Sequence, residues 1–262
     1  MKIDYVSDLH INHHIPFHKN QLKWESRTKE LVKDLLKRKT GDVLVIAGDF
    51  SEWNNQSLWV LEEASRHYER VFFVVGNHDY YLLSKTQRKK YKNSLNRVDE
   101  FINKASLISG VVPLHKTVKT YKGIVFAGAG LWYTLDNDQD KQFYLTQSND
   151  SKYIYAGVPY SETPDFLYKD YMDWYDSLED VSIDVFVSHV PPLHPPISYY
   201  KRNACYDTTV PFIHASHWIF GHTHLVSTFK KGDINFYVNA YGYPSEKKDV
   251  VIQQFIVQPN RQ

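Results

Sequence analysis

Histidine and aspartate recur in five short motifs, and these residues are the ones best suited to do chemistry. The motifs are, in chain order, Asp8-Leu9-His10, Gly48-Asp49, Gly76-Asn77-His78-Asp79, Ser188-His189 and Gly221-His222-Thr223-His224. Together they offer carboxylate, imidazole and amide donors, which can hold two divalent metal ions side by side. Two ions about 3.5–4 Å apart can bind a phosphate oxygen and stabilise both the entering and the leaving oxygen of a displacement. The motifs therefore indicate hydrolysis of a phosphate ester.

The donor types also bear on the choice of metal. Imidazole beside carboxylate and amide oxygen favours a borderline first-row ion, which we expect to be Mn, Fe or Zn and foremost Mn, over an all-oxygen Mg or Ca site. Each motif alone has an ordinary explanation: Gly48-Asp49 is also a turn, and His189 could be a hydrogen-bonded core histidine. Their common order, each after a strand-like run, favours the metal interpretation.

Short apolar runs precede the motifs and must position them. They predict strands at 2–6, 43–46, 71–75, 124–127, 184–188, 217–220, 234–238 and 250–257. In open α/β sheets, ligands bind at the carboxyl ends of the strands, where these motifs would lie. Asp8 and His10 are two residues apart at a strand end, so their side chains can project to the same side.

Helical periodicity alternates with these strands in the first half. We predict helices at Gln21 to Lys39, at Gln56 to Tyr68 and after Ser84, which implies βαβ units. The second half has more strand, so a purely parallel sheet is not expected. Thr163-Pro164 resembles an N-cap followed by Pro at the first helical position. The polar, Tyr-rich stretch from 133 to 161 has no clear periodicity and is interpreted as a long loop or small cap, within a cap-like insertion around 133–180.

Composition describes an ordinary globular chain of 262 residues with 31 Lys plus Arg against 30 Asp plus Glu. A nearly neutral chain has no global field to steer a long polyanion. Cys205 is the single cysteine, so no internal disulfide forms, which suits a reducing compartment. The N-terminus does not resemble a signal peptide, and no stretch has the length of a membrane span. We expect one domain over 1–262, a cytoplasmic location and no membrane partner; the oligomeric state stays open.

The five motifs, taken together, resemble the calcineurin-like metallophosphoesterase superfamily, whose pattern runs D-x-H, G-D, G-N-H-[DE], H and G-H-x-H. The resemblance covers Asp8 to His224. Within that family, the chain is most similar in type to the small bacterial or phage phosphoesterases. The resemblance implies an α/β fold with four layers, α/β/β/α, in which helices flank a sandwich of two mixed sheets. It also implies a ligand set: Asp8, His10, Asp49 and His224 for one metal, and Asp49, Asn77, His189 and His222 for the other, with Asp49 bridging.

The resemblance further implies a mechanism in which a metal-bridging hydroxide attacks phosphorus in line. His78 then protonates the leaving group or stabilises the transition state. Asp79 could orient His78, or could be a structural carboxylate of the loop. Protein Ser/Thr phosphatases of the superfamily carry an extended G-D-x-V-D-R-G, whereas here Gly48-Asp49 continues as Phe50-Ser51-Glu52, which argues against that branch.

Substrate class is less constrained. We expect a small phosphate ester or nucleotide, with a phosphodiester favoured over a monoester. A nuclease or nucleic-acid end-processing phosphatase is the alternative, because a basic cluster follows the third motif; it comprises Lys85, Arg88, Lys89, Lys90 and Lys92. A solvated helix face is the favoured explanation of that cluster, because the net charge of the chain is nearly neutral. An aromatic group could stack on a base or pack within a cap; it comprises Tyr153, Tyr155, Tyr160, Tyr199 and Tyr200.

A non-catalytic scaffold of the same fold is the remaining alternative. Scaffold relatives lose metal ligands or the catalytic histidine. Here the ligand set is intact and His78 is present, which favours an enzyme.

Overall fold

The computed structural model describes residues 1–193, 205–211, 215–246 and 251–258. Eleven strands lie in the described residues: β1 (Lys2–Val6), β2 (Val43–Ala47), β3 (Arg70–Val74), β4 (Val111–Pro113), β5 (Thr117–Tyr121), β6 (Ile124–Gly128), β7 (Ile183–Val187), β8 (Ala215–Phe220), β9 (Val226–Lys231), β10 (Ile234–Asn239) and β11 (Gln253–Ile256). All eight predicted segments contain a strand, although residue 250 lies outside the described part. The sequence did not predict β4, β5 or β9.

Eight α-helices accompany the strands in the described residues: α1 (Ile11–His14), α2 (Gln21–Leu35), α3 (Asn54–Ala64), α4 (Lys85–Tyr91), α5 (Ser94–Ala105), α6 (Asp138–Gln147), α7 (Asp150–Tyr153) and α8 (Thr163–Tyr175). The predicted helices at 21–39 and 56–68 correspond to α2 and α3. The helix expected after Ser84 is two helices, and each has its own N-cap: Ser84 accepts from the backbone of Gln87, and Asn93 from that of Asn96. None of the helices in the described residues is long and apolar enough to cross a membrane.

The strands form two mixed sheets. The first has the order β11-β1-β2-β3-β4, and the second has the order β5-β6-β7-β8-β10-β9. Neighbours from β1 to β4 are parallel, as are β6 with β7, β7 with β8, and β8 with β10. Three of the four edge strands pair antiparallel with their neighbours, namely β11, β5 and β9, whereas the edge strand β4 is parallel to β3. The mixed sheets that the sequence predicted are confirmed.

The two sheets pack face to face through an apolar core. Val43, Val45 and Ala47 of β2 point into this layer, as do Val185 and Val187 of β7. Across it, the rings of Phe72 and Phe126 stack with centroids 4.2 Å apart. Alternate residues of each central strand point the other way, as a two-residue period requires.

Helices cover both outer faces, which completes the four layers. On the first sheet, Phe101 of α5 packs against Phe73 with ring centroids 5.3 Å apart. On the second, Tyr175 of α8 packs against Phe186 with centroids 5.5 Å apart. Central strands buried on both faces explain the near-continuous apolar runs in the sequence. The α/β/β/α architecture is confirmed.

The structure between residues 133 and 175 differs from two of the predictions. The stretch from 133 to 161 contains α6 and α7 and is therefore not a long loop. Its only buried residue within α6 is Tyr144, so no apolar stripe marked that helix in the sequence. Thr163 is not the N-cap of α8 but its first residue, because Glu162 occupies the cap position and Pro164 still falls in the first turn. Whether 133–180 acts as a cap stays a prediction.

Candidate metal centre

The five motif loops meet at one edge of the sandwich. They follow β1, β2, β3, β7 and β8, whose carboxyl ends reach the same side because these strands are parallel within their sheets. Backbone hydrogen bonds join the loops: the amide of Asp8 donates to Gly48 at 3.1 Å, and that of Gly221 donates to His189 at 3.0 Å. All seven candidate ligands are brought together there.

One group of donors surrounds His10. Its Nε2 lies 3.0 Å from Nε2 of His224 and 3.6 Å from Oδ2 of Asp49, and Nε2 of His224 lies 3.7 Å from Oδ1 of Asp8. Ligand atoms of Asp8, His10 and His224 all fall within 4.8 Å of one another, which is compatible with a single ion. Asp8 and His10 are buried.

A second group lies on the other side of Asp49. Nε2 of His189 is 3.4 Å from the same Oδ2 of Asp49 and 3.0 Å from Oδ1 of Asn77. Nδ1 of His222 is 3.1 Å from that amide oxygen. A single carboxylate oxygen of Asp49 therefore faces both groups, as a bridging ligand would.

Hydrogen bonds to the distal ring nitrogens fix which nitrogens can bind a cation. Nδ1 of His189 lies 2.8 Å from the carbonyl of Ala47, and Nε2 of His222 lies 2.7 Å from that of Cys205. Nδ1 of His224 lies 2.6 Å from Oε1 of Glu246. Because carbonyl and carboxylate oxygens can only accept, these nitrogens carry the proton of each neutral ring, and the opposite nitrogens of the neutral rings present lone pairs to the cluster.

This arrangement provides a test of whether the residues fit metal ions. The amide oxygen of Asn77 faces two such lone pairs, on His189 and His222, at 3.0 and 3.1 Å. Acceptors that face one another in a buried site repel, and a bound cation removes the repulsion. The nitrogen and oxygen donor set suits a first-row divalent ion. The residues therefore fit the two-ion centre that the resemblance implies.

Burial and charge act in opposite directions on the pKa values of this cluster. Burial raises the pKa of Asp49, but the histidines around it, His189 foremost, hold that pKa well below its usual range. Burial lowers the pKa of His10 and of His222. Burial also lowers the pKa of His189, but the neighbouring Asp49 carboxylate has the larger effect, and the pKa of His189 is raised. The Asp49 carboxylate thus stays ionised and favours positive charge beside it.

Backbone conformation at the ligands is unusual. Five candidate ligands have positive φ, namely Asp8 (51°), His10 (42°), Asp49 (58°), His222 (68°) and His224 (53°). Such values are uncommon outside glycine and cluster at functional sites. Gly48 (φ 88°) allows the imidazole of His189 to approach the backbone closely, since a Cβ at position 48 would lie 2.5 Å from Nδ1 of His189.

His78 lies against the first donor group, and one of its ring nitrogens is within 4.8 Å of ligand atoms of His10 and Asp49. Its Nδ1 contacts Oε1 of Glu52 at 2.9 Å, and its Nε2 is 3.3 Å from the hydroxyl of Tyr243. Its ring centroid is 4.5 Å from that of His10. Burial lowers the pKa of His78, but the carboxylates of Asp49 and Glu52 outweigh burial, and the pKa is raised.

Asp79 does not orient His78, contrary to the role considered for it. Its Oδ2 accepts from the backbone amides of Asp49 (3.0 Å) and Gly76 (2.8 Å), and its Oδ1 from that of Phe50 (3.3 Å). Adjacent side chains diverge here, so Asp79 joins the second and third motif loops while Glu52 contacts the imidazole. Asp79 is therefore the structural loop carboxylate that the sequence left as the alternative.

A cleft of about 260 Å³ opens over the cluster. It is lined by Asp49, Asn77, His78, Tyr81, Phe143, Gln147, Ser148, Asn149, Asp150, Cys205, Tyr206, His222, Thr223, His224, Tyr243 and Glu246. The Tyr-rich segment thus forms one wall. Sequence reasoning missed Glu52, Asp150, Tyr243 and Glu246 as site residues. Only Glu52 had a signal, because it lies three residues after Asp49 within the same loop.

The basic cluster is partly neutralised. Nζ of Lys90 pairs with Glu100 at 2.9 Å, and Arg88 donates to the backbone carbonyls of Leu82 and Lys152. In the aromatic group, Tyr153 packs on Tyr81 of the cleft with ring centroids 5.4 Å apart. Tyr155 and Tyr160 are exposed, and Tyr199 and Tyr200 lie outside the described residues. Nucleic-acid binding by either group stays a prediction.

Comparison with known proteins agrees with this site. The family model described as calcineurin-like phosphoesterase matches residues 1–226. The chain is 22% identical to the uncharacterized protein L509 of Acanthamoeba polyphaga mimivirus, over 94% of this chain and 92% of that protein. The crystal structure of phosphopantetheinyl hydrolase (PptH) from Mycobacterium tuberculosis shares the fold, with a TM-score of 0.67 and 19% identity over 100% of this chain and 98% of that one.

The chain belongs to the calcineurin-like phosphoesterase family. It is accordingly a metal-dependent hydrolase of phosphoric ester bonds, and the resemblance drawn from the five motifs is confirmed.

Proposed function

We propose that two divalent ions occupy this centre and that the protein hydrolyses a phosphodiester. Asp8, His10, Asp49 and His224 would hold one ion, and Asp49, Asn77, His189 and His222 the other. The observation that carries the proposal is the position of Asp49 Oδ2, which faces His10 at 3.6 Å and His189 at 3.4 Å. A shared carboxylate between two buried donor groups is what a dinuclear site requires.

When bound, two such ions polarise a phosphate oxygen and lower the pKa of a water at the site. The chain's own groups supply the remaining functions. His78 would hold a proton at Nε2, facing the cleft, and deliver it to the leaving oxygen as general acid. Glu52, at 2.9 Å from Nδ1, fixes the ring orientation so that Nε2 is the nitrogen presented to substrate.

Charge in the cleft supports a diester over a monoester. The described lining includes the carboxylates of Asp49, Asp150 and Glu246 and contains no lysine or arginine. A phosphomonoester dianion brings about one more negative charge than a diester does. Apart from the two proposed ions, the described lining supplies no lysine or arginine to compensate that additional charge, so the diester monoanion is favoured.

The native ion follows from the donors. Imidazole nitrogens with carboxylate and amide oxygens favour Mn²⁺ or a similar ion over Mg²⁺, which prefers oxygen donors and retains its waters. We therefore infer manganese as the most effective metal. Exhaustive chelation should remove activity, and Mn²⁺ should restore more of it than Mg²⁺ does.

Parallel assays with bis-p-nitrophenyl phosphate and p-nitrophenyl phosphate test the proposal. The Mn²⁺-loaded protein should cleave the diester with the higher kcat/KM, and His78→Ala should lose most of that turnover. His67→Ala is a matched control, because His67 lies beyond the end of α3 and pairs with Glu63. A preference for the monoester would refute the diester assignment alone. Absence of cleavage with two metals bound would contradict the catalytic proposal and favour a scaffold.

A further inference from the structure

A buried carboxylate from the Tyr-rich segment reaches the candidate metal centre. Asp150, the first residue of α7, is 4% exposed. Its Oδ1 accepts from Nδ2 of Asn77 at 2.8 Å and from the hydroxyl of Tyr81 at 2.6 Å. Its Oδ2 accepts from the hydroxyl of Tyr133 at 2.5 Å. Three buried donors therefore converge on one side chain.

The contact with Asn77 determines which end of that amide faces the donor cluster. An amide has an accepting oxygen and a donating nitrogen, and only the oxygen can bind a cation. Nδ2 donates to Asp150 at 2.8 Å and, over a longer distance of 3.3 Å, to the hydroxyl of Tyr81, which itself donates to Asp150. Oδ1 therefore faces His189 at 3.0 Å and His222 at 3.1 Å. The reversed amide would present its N–H groups to the ion and its oxygen to a carboxylate, and both contacts would be repulsive.

We propose that Asp150 is a positioning residue that orients the Asn77 amide for the second metal ion. The inference rests on the proposed two-ion centre and adds a residue outside the five motifs. Groups that hydrogen-bond to metal ligands commonly change metal affinity by about 10–100-fold when removed. The consequence here is that α7 and the second ion site are coupled.

That coupling also involves the substrate cleft. Asp150 directly follows Gln147, Ser148 and Asn149, which line the cleft wall. The backbone amide of Asp150 is also held in place, because it donates a hydrogen bond to Oγ of Ser148 at 3.1 Å. One carboxylate thus holds the wall of the cleft and a metal ligand in a fixed relation.

A purely structural role for Asp150 is the competing explanation, because it also binds the hydroxyls of Tyr81 and Tyr133. Three variants separate the two roles. Asp150→Ala removes the three hydrogen bonds of the carboxylate and keeps those of the backbone. Asp150→Asn can keep Oδ1 against Nδ2 of Asn77 while its own amide donates to the Tyr133 hydroxyl. Tyr133→Phe removes a hydrogen bond to the same carboxylate without touching Asn77.

Titration of the metal-free proteins with Mn²⁺ by calorimetry, alongside their thermal unfolding, provides the readout. Wild type should bind two ions, and Asp150→Ala should bind the second about 10–100-fold more weakly while the first is unchanged. Asp150→Asn and Tyr133→Phe should retain both affinities. If Asp150→Ala does not fold, Asp150→Asn still tests the proposal, because loss of the second ion there would overturn positioning by a hydrogen bond.

A second substitution tests orientation itself. In the Asp150→Ala background, Asn77→Asp supplies two equivalent oxygens that need no orienting partner, so affinity for the second ion should recover. Wild-type affinity in Asp150→Ala, equal loss in Tyr133→Phe, or no recovery in the double variant would overturn the inference while the two-ion centre stands. Failure of the wild type to bind two ions would overturn the proposed function and this inference together.

Discussion

Oδ1 of Asp49 accepts a hydrogen bond from the backbone amide of His78 at 2.8 Å. The other oxygen, Oδ2, faces the histidines of the two donor groups. One carboxylate therefore holds the loop of the proposed general acid with one oxygen and faces both proposed ion sites with the other. A single residue therefore sets the proposed proton donor and the proposed metal ligands in a fixed relation.

His78→Ala should leave metal binding intact and lower kcat by about 10²–10⁴-fold, the contribution expected of general acid catalysis. The backbone amide that contacts Asp49 is retained, so Asp49 stays in place. Metal content by elemental analysis, measured with steady-state kinetics, checks this. Loss of either ion in the variant would show that His78 is a ligand.

Glu52→Gln should lower kcat by less than the roughly 10²–10⁴-fold expected for His78→Ala, because the acid is present but less well oriented. KM and metal stoichiometry should not change, since Glu52 contacts His78 and not the candidate ligands. A kcat and KM comparison of the two single variants and the double variant tests this. Additive effects in the double variant would mean that Glu52 does not act through His78.

Arg97 should be among the most destabilising positions to change. It is fully buried, and its guanidinium donates to the carbonyls of His78, Tyr81 and Ser51 and to Oδ1 of Asn54 at 2.8–3.0 Å. Arg97→Met should lower the free energy of unfolding by about 3 kcal/mol or more, because these buried acceptors lose their donor.

Urea denaturation of the metal-free protein measures that loss. Arg66→Met is the matched control, since Arg66 is exposed and pairs with Glu63 on the protein surface, where an ion pair contributes about 0–1 kcal/mol. Equal effects of the two substitutions would contradict the role assigned to Arg97.

His115 should make the fold sensitive to acid. Burial, with a smaller effect from Lys116, lowers its pKa to about 4 against the opposing effect of Asp170. Its Nδ1 has no hydrogen-bond partner among the described residues. Because the folded pKa lies below the unfolded value of 6.5, the unfolded chain binds more protons between these values, and stability falls as pH falls from 6.5 to 4.

His115→Phe should remove this contribution, which is at most about 3 kcal/mol. The check is the difference in unfolding free energy between the variant and wild type across that pH range. A difference that does not change with pH would show that the His115 pKa is ordinary in the folded state.

The sequence predicted those parts of the molecule where a local pattern reflects the fold. Central strands such as β2 are apolar on both faces and are evident from their composition. The edge strand β9 (Val226–Lys231) is polar and mostly exposed, so it carried no such signal. The helix α6 was missed for the same reason, because it buries only Tyr144.

The candidate ligands were predictable because their motifs are short and ordered along the chain. Asp150 and Arg97 were not, because their roles depend on contacts with distant segments: Asp150 with Asn77, 73 residues away, and Arg97 with Ser51, 46 residues away. Only the folded structure shows these pairs. The same applies to Asp79. The sequence suggested His78 as its partner, whereas in the structure its carboxylate binds backbone amides of the second motif loop.

Metal stoichiometry of wild type and of Asp49→Asn, measured on the same preparation as turnover, tests the central claim most directly. We predict two ions and metal-dependent hydrolysis for wild type, and fewer ions with no turnover for Asp49→Asn, because an amide supplies one oxygen and no charge to the shared position. Near-wild-type hydrolysis in Asp49→Asn would contradict the two-ion centre.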